Sequence, residues 1–431
     1  MRGRLLAAAA ILSACVAVWA SVGDQTGRVA LHLTLYAAAF AAYVVALHAA
    51  PGLSRSGLRL ALGLAFLWRA ALVVAPPLLS DDVYRSVWEG RVQLSGGNPY
   101  AWQDRPEAER WWALRDEVWL RMNHRGYTAV YPPLWQMAAA GVVAVHDSVA
   151  ALKAFLVLCE ALTLVALAGL LRRRGLPAER LLVLAWSPLA LVEVAGSGHS
   201  EAFGMLWLTL ALLALETGRT GPSAALAALG LHAKLLPGLV ALAWARRYGV
   251  RDAVGAGFIA VALVFPYRSA GIGLVRSLQG YVSFWRFNET LFAAPAALLG
   301  PQAALAACAL TLLGLALWLA WRRSEPAGAA LGVVVAILLL APSVLPWYAL
   351  WLLPLLTLRD SPGALLFTGS VGLAYLVYPA WQSGEPWQVH WSVRALEYGP
   401  CLTVAAASRL SARRVRRYTA DPWPGKASSS S

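Results

Sequence analysis

Apolar residues in this chain come in long runs rather than alternations. Runs cover residues 5–20, 29–49, 58–79, 148–171, 181–195, 202–215, 253–265 and 303–321, and four more fill 327–344, 346–358, 363–380 and 391–408. The longer ones approach the ~20 residues a helix needs to cross the ~30 Å hydrocarbon core of a bilayer. Barrel strands would alternate apolar and polar positions, and these runs do not. The pattern predicts an all-α polytopic membrane protein with about 12–14 transmembrane helices or half-helices.

Two stretches interrupt the pattern. Residues 78–148 mix polar and apolar positions and predict a long segment outside the membrane. In it, "EAERWWALRDEVWLRMNHR" (107–125) has apolar residues at helical spacing and predicts an amphipathic surface helix with interfacial tryptophans. "YPPLWQMAAAGVVAV" (131–145) predicts an interfacial or re-entrant helix. The second stretch, 268–301, carries "YVSFWRFNETLF" (281–292). Between the two, residues 222–252 end in a basic segment that belongs with the other basic connections. The stretch is therefore expected to double back, in arms of about 12 residues or ~18 Å each. His232 and Lys234 fall at the bend.

Composition supports the membrane reading: 59% of the 431 residues are hydrophobic and 13% charged, with a mean hydropathy of +0.59. The net charge of +14 does not indicate nucleic acid. Nearly all the positive charges are Arg, placed in short connections and in "RLSARRVRRY", as the positive-inside rule requires. That rule puts both termini in the cytoplasm and residues 78–148 and 268–301 outside the plasma membrane. The start, "MRGRLLAAAAILSACVAVWA", resembles a signal peptide but is expected to remain as a first span. The organisation expected is N-terminal helices over 1–57, a module over 58–267 with its outer loop at 78–148, and the second outer segment at 268–301. C-terminal helices over 302–408 and a basic tail from 409, ending in a disordered "DPWPGKASSSS", complete it. The four cysteines are far apart and make neither a metal pattern nor a disulfide framework.

Ionisable groups inside apolar runs are expensive and mark function. Here they are Glu160, Glu193, His199, Glu201, His232 and Lys234. The most suggestive stretch is "LLSDDVYRSVWEGRVQLSGGNPY" (78–100), with Asp81 and Asp82 where the chain leaves an apolar run. On a helix they would point about 100° apart, so one can face a cavity while the other holds the helix end. Ser80 and the acids also suit a plain helix cap. Arg85 and Arg91 suit an anion or an ion pair with Glu89, and Asn98 lies in the "GGNPY" turn. Lys234 is one of three lysines; it either snorkels or binds a phosphate. His199 and Glu201 suit a loop turn or a site, and His124 a surface position. Trp347 and Tyr348 are interface aromatics, or contact a lipid chain or sugar face.

The pieces "SDDVYRSVWEGRVQLSGGNPY", "YPPLWQ", "SPLALVEVAGSGHSEAF", "LHAKLLPGLVAL", "WRFNETLF" and "PWYALWLLPLL", in that order over roughly residues 60–360, resemble the GT-C superfamily. They are closest to its polyprenyl-phosphate-sugar-dependent membrane glycosyltransferases of the bacterial mannosyltransferase-like branch. The resemblance implies an inverting transfer of a hexose, mannose favoured, from a polyprenyl-phosphate donor to a lipid or glycan hydroxyl on the outer face. It implies Asp81 as catalytic base, with Asp82 as second choice. No cofactor is expected, and no metal, because the two adjacent acids lack a full ligand set. Donor phosphate or lipid contacts fall to Lys234, Arg286, Trp347, Tyr348 and His390. Sugar or acceptor contacts fall to Arg85, Arg91, Asn98, His124, Tyr131, His199, Glu201 and Asn288. Two positions depart from the pattern. Leu345 precedes "PWY" where a histidine is common, and Ser200–Glu201 follows "SGH" where asparagine is common. A monomer is expected. The competing reading, a transporter or lipid flippase, calls for paired broken helices, and the sequence suggests one broken region only, near Lys234.

Overall fold

The computed structural model describes residues 2–420; the expected disordered end lies outside the described residues. Among them there is no strand, only a bridge between Phe287 and Ser343. Seven helices are long and apolar enough to cross a bilayer: Gly3–Val22, Val29–Ala49, Arg55–Val74, Val149–Arg174, Val250–Ala270, Pro301–Trp321 and Pro362–Gln382. Of the other apolar runs, 391–408 lies in the 30-residue helix Trp391–Ala420, and the rest form short or bent helices. Pro326–Leu340, with 15 residues, is about 22 Å long at 1.5 Å per residue.

Local chemistry sets the boundaries. Proline opens Pro133–Val145, Pro301–Trp321, Pro326–Leu340 and Pro362–Ser370, where its missing N–H is harmless. Ser148 Oγ accepts from Ala151 N at 3.1 Å to start Val149–Arg174. Gly175, with φ of 64°, ends that helix beside three arginines that complement its dipole. The run expected over 58–79 is helical only to Val74, because Pro76 and Pro77 cannot continue it. Lys153 Nζ then donates to the freed carbonyls of Leu72 and Ala75 at 2.7 and 2.8 Å. The buried Arg69–Glu160 pair, 2.8 Å from Nε to Oε2, ties Arg55–Val74 to Val149–Arg174, and Arg69 also donates to Ala185 O at 2.8 Å.

Two expectations change. Residues 107–125 do not form one surface helix but a 3-10 turn, Glu109–Leu114, and a short helix, Glu117–Arg121. Asp116 Oδ1 accepts from Val118 N and Trp119 N and so begins a new turn. The helix Asp82–Leu94 of this segment is buried at every position from Val83 to Gly90 and packs on Pro133–Val145 so closely that a Cβ on Gly90 would lie 2.8 Å from Val143. Finally, residues 188–216 are not two separate spans: Pro188–Gly196 and Glu201–Glu216 meet at 118° in one broken unit. This is a second break beside the one at Lys234. There, Thr220–Ala233 and Leu235–Leu242 fold against each other around an extended Lys234 with φ of −156°. Paired glycines permit it: a Cβ on Gly230 would lie 2.7 Å from Pro237, and one on Gly238 2.5 Å from Leu231.

Candidate active site

Buried Leu78 and Leu79 anchor the chain after the prolines, and Asp81 takes the N-cap position of Asp82–Leu94. Its side chain makes no capping bond; Ser80 Oγ accepts from Asp82 N instead, at 3.3 Å. The carboxylates have a different partner. Asn123 Nδ2 donates to Asp81 Oδ1 at 2.5 Å and to Asp82 Oδ1 at 2.9 Å. Tyr131 Oη donates to Asp82 Oδ2 at 3.3 Å. Asp82 thus has both oxygens engaged, while Asp81 Oδ2 has no hydrogen-bond partner among the described residues.

Asp81 is exposed, yet enough protein surrounds its carboxyl to cost it hydration. Lost hydration first, and the Asp82 charge second, push its carboxyl up to about 6, against the opposing pull of Asn123 and Arg85. Burial first, then the charges of Asp82 and Glu201, holds the Tyr131 phenol well above its ordinary value, so it remains a donor.

Arg85 supports this corner from behind. Its NH2 donates to the carbonyls of Asn123 and His124, each at 2.6 Å, and its NH1 to Tyr127 O at 3.3 Å and Glu89 Oε1 at 3.4 Å. His124, at a φ of 45°, stands edge-on to Trp285 with ring centres 4.6 Å apart.

The other half of the site comes from the two helix breaks. Lys234 Nζ lies 2.8 Å from Glu201 Oε1 and 4.3 Å from the centre of the Tyr131 ring. A continuous chain of contacts therefore runs Asp81–Asn123–Asp82–Tyr131–Lys234–Glu201. Beside it, His199 stacks on Trp347 at 3.8 Å. His199 Nδ1 is 3.1 Å from both the carbonyl and Oε2 of Glu193, whose Oε1 accepts from Tyr375 Oη at 2.8 Å. Tyr348 Oη and Tyr281 Oη are 2.7 Å apart. His199 Nε2, Ser200 Oγ and Glu201 Oε2 are buried with no hydrogen-bond partner among the described residues.

Several residues singled out from the sequence lie in local pairs instead. Arg91 binds Asp116 and Asp147 at 2.9 and 2.8 Å. Asn98 Nδ2 donates to Tyr267 O and Ser269 Oγ at 3.2 and 2.9 Å, and its Oδ1 accepts from Tyr100 N. Arg286 pairs with Glu289 three residues on. Asn288 is buried at a φ of 53°, and exposed His390 contacts Ser392. None of these five hydrogen-bonds or ion-pairs with the Asp81–Glu201 chain among the described residues. Asn123, Tyr281 and Trp285 were not singled out, and Glu193 only as an ionisable group within an apolar run. Asn123 stands beside His124 in "MNHRGY", and nothing local marks an amide there as a ligand of acids 41 and 42 positions earlier. No group of three or more His, Cys, Asp or Glu suited to a metal ion occurs among the described residues.

The site also constrains packing. A Cβ on Gly204 would overlap the Trp351 ring and come within 3.1 Å of Lys234 Cβ. Gly204→Ala is expected to destabilise the protein by about 1–3 kcal/mol, read as a lower melting temperature in detergent, and to displace Lys234.

Residues 2–248 match the family described as "Alpha-(1->6)-mannopyranosyltransferase, N-terminal domain". A search of curated proteins and a search of solved structures each return no match. The family match covers more than half of the 431 residues and contains every member of the chain from Asp81 to Lys234, and with the membrane-length helices around that chain it makes this protein a polytopic membrane mannosyltransferase of the alpha-(1->6)-mannopyranosyltransferase family, of GT-C type.

Proposed function

We propose that the protein moves a mannosyl residue from a polyprenyl-phosphate carrier to a hydroxyl of a lipid or glycan acceptor, at the outer face of the plasma membrane, with inversion. The observation that carries this reading is the free, accessible oxygen of Asp81, joined through Asn123, Asp82 and Tyr131 to the ammonium of Lys234. Asp81 Oδ2 takes the proton as the acceptor O–H bond breaks. The acceptor oxygen bonds to the anomeric carbon while the bond from that carbon to the phosphate oxygen breaks. The polyprenyl phosphate leaves with the electron pair.

Phosphate leaves without prior protonation, so one base suffices where a glycosidase needs two carboxyl groups in separate roles. Lys234 exchanges Glu201 for the phosphate and stabilises its developing charge. A single displacement that makes an alpha bond, the linkage in the family's description, takes a beta-configured donor. His199 on Trp347, with the Tyr281–Tyr348 pair, is the proposed wall for sugar and lipid. The Arg-rich connections favour cytoplasmic termini. The sequence shows no nucleotide-binding motif, which favours a lipid-linked donor over a nucleotide sugar.

The test is transfer by purified protein from polyprenyl-phosphate mannose. The base must be ionised, so kcat/KM rises with pH through about 6 and levels above it. Turnover of a nucleotide mannose with no lipid-linked sugar added would overturn the donor assignment.

A further inference from the structure

We infer that Asn123 is the positioning residue that makes Asp81, and not Asp82, the base; this rests on the reading of Asp81 as base above. An amide nitrogen carries two N–H donors, and Asn123 spends both on this pair, one on each Oδ1. Asp81 caps the helix and Asp82 opens it, so their carboxylates start from different backbone conformations. Asn123 draws them onto one atom and fixes which oxygens remain. Tyr131 occupies the second oxygen of Asp82, leaving Oδ2 of Asp81 as the place for a proton.

The amide is itself held by tertiary structure. Arg85 grips the carbonyls of the successive residues 123 and 124, so the helix that begins at the acids also carries the clamp that orients their partner. The charged and titratable groups around the pair are Arg85 and Glu89 on the same helix, Tyr131 and His124 from the mixed segment, His199, Tyr281, and Tyr378, whose Oη donates to Leu79 O. Among the described residues none of these hydrogen-bonds to Asp81. Asn123 is its only side-chain donor there.

Hydrogen bonds to a carboxylate favour its ionised form, and a like charge opposes it. Without Asn123 only the Arg85 charge and the Asp81 backbone N–H still oppose burial and the Asp82 charge, and the base holds its proton to higher pH. The experiment compares pH profiles of kcat/KM for the native protein, Asn123→Ser and Asn123→Asp. Serine keeps one donor; aspartate keeps the shape, loses both donors and adds a charge. The acidic limb is expected to move up by about one pH unit in Asn123→Ser and further in Asn123→Asp. Maximal rates are expected to fall by about 10- to 100-fold. A merely structural role would lower the rate equally at every pH, and limbs that stay in place in both variants would overturn the inference. Asp81→Asn separates the two readings. An inactive Asp81→Asn with unmoved limbs sinks the role of Asn123 alone, whereas an active Asp81→Asn sinks the base as well.

Discussion

Asp81→Asn is expected to lower mannosyl transfer by about 10²–10⁴-fold, the contribution of a positioned general base, while the protein folds normally. The amide has the shape of the acid, and its oxygen still accepts from Asn123, so the corner built by Asn123 and Arg85 persists. What is lost is the lone pair at Oδ2 that takes the acceptor proton. Stability is expected to move the other way. The Asp81 carboxyl sits at about 6 in the folded protein, above its ordinary 3.8, so it favours folding less as pH rises through that window and is unfavourable at neutral pH. A neutral side chain removes the repulsion with Asp82. The melting temperature of Asp81→Asn at neutral pH should therefore equal or exceed that of the native protein, with activity gone. Asp82→Asn should be milder, because both of its oxygens are already engaged. Comparable loss in both variants would mean that the acids act as a unit, and an active Asp81→Asn protein would remove the residue from the role.

Much of the architecture could be read from local chemistry. Long apolar runs gave the membrane helices, and prolines marked where several begin. The basic end of the stretch around Lys234 gave the turn there, because Arg-rich segments belong on one side of the membrane, and Lys234 itself stood out because an ionisable group in an apolar stretch is expensive. The aspartate pair was conspicuous for the same reason. Tertiary choices were harder to read. The 107–125 segment has helical spacing, but its arginines stack on tryptophan faces, as Arg115 and Arg125 do on Trp119 at 4.6 and 4.4 Å, and Asp116 interrupts it. Arg91, Arg286 and Asn98 were attractive as ligands by type, yet each found nearby acids or carbonyls. The 118° break before Glu201 looked like an ordinary loop because Gly and Ser mark turns without giving their angle. Asn123 shows the general difficulty. Its importance lies in being one amide shared by two acids, and that relation exists only once residues 81 and 123 have met.

Lys234→Met is expected to fail in two separable ways. Glu201, only 1% exposed, would be left charged and unpaired. Removing one partner of a buried pair destabilises by about 3–5 kcal/mol, and Lys234 is itself 15% exposed, which favours the lower end. The donor phosphate would also lose its ammonium, at about 10²–10³-fold in kcat by analogy with removing one preorganised charge-stabilising donor. The double variant Lys234→Met/Glu201→Gln distinguishes the two. It contains no unpaired charge, so its melting temperature should recover, but transfer should stay low because nothing replaces the cation. Recovery of transfer along with stability would show that Lys234 is needed only to neutralise Glu201. Glu201→Gln alone makes the opposite prediction. It frees Lys234 from its resting partner while the Tyr131 ring still lies beneath it at 4.3 Å, so KM for the lipid-phosphate donor should fall with kcat largely kept. A Glu201→Gln protein as inactive as Lys234→Met would instead assign Glu201 a direct contact with the sugar, and the exchange of carboxylate for phosphate at Lys234 would have to be abandoned.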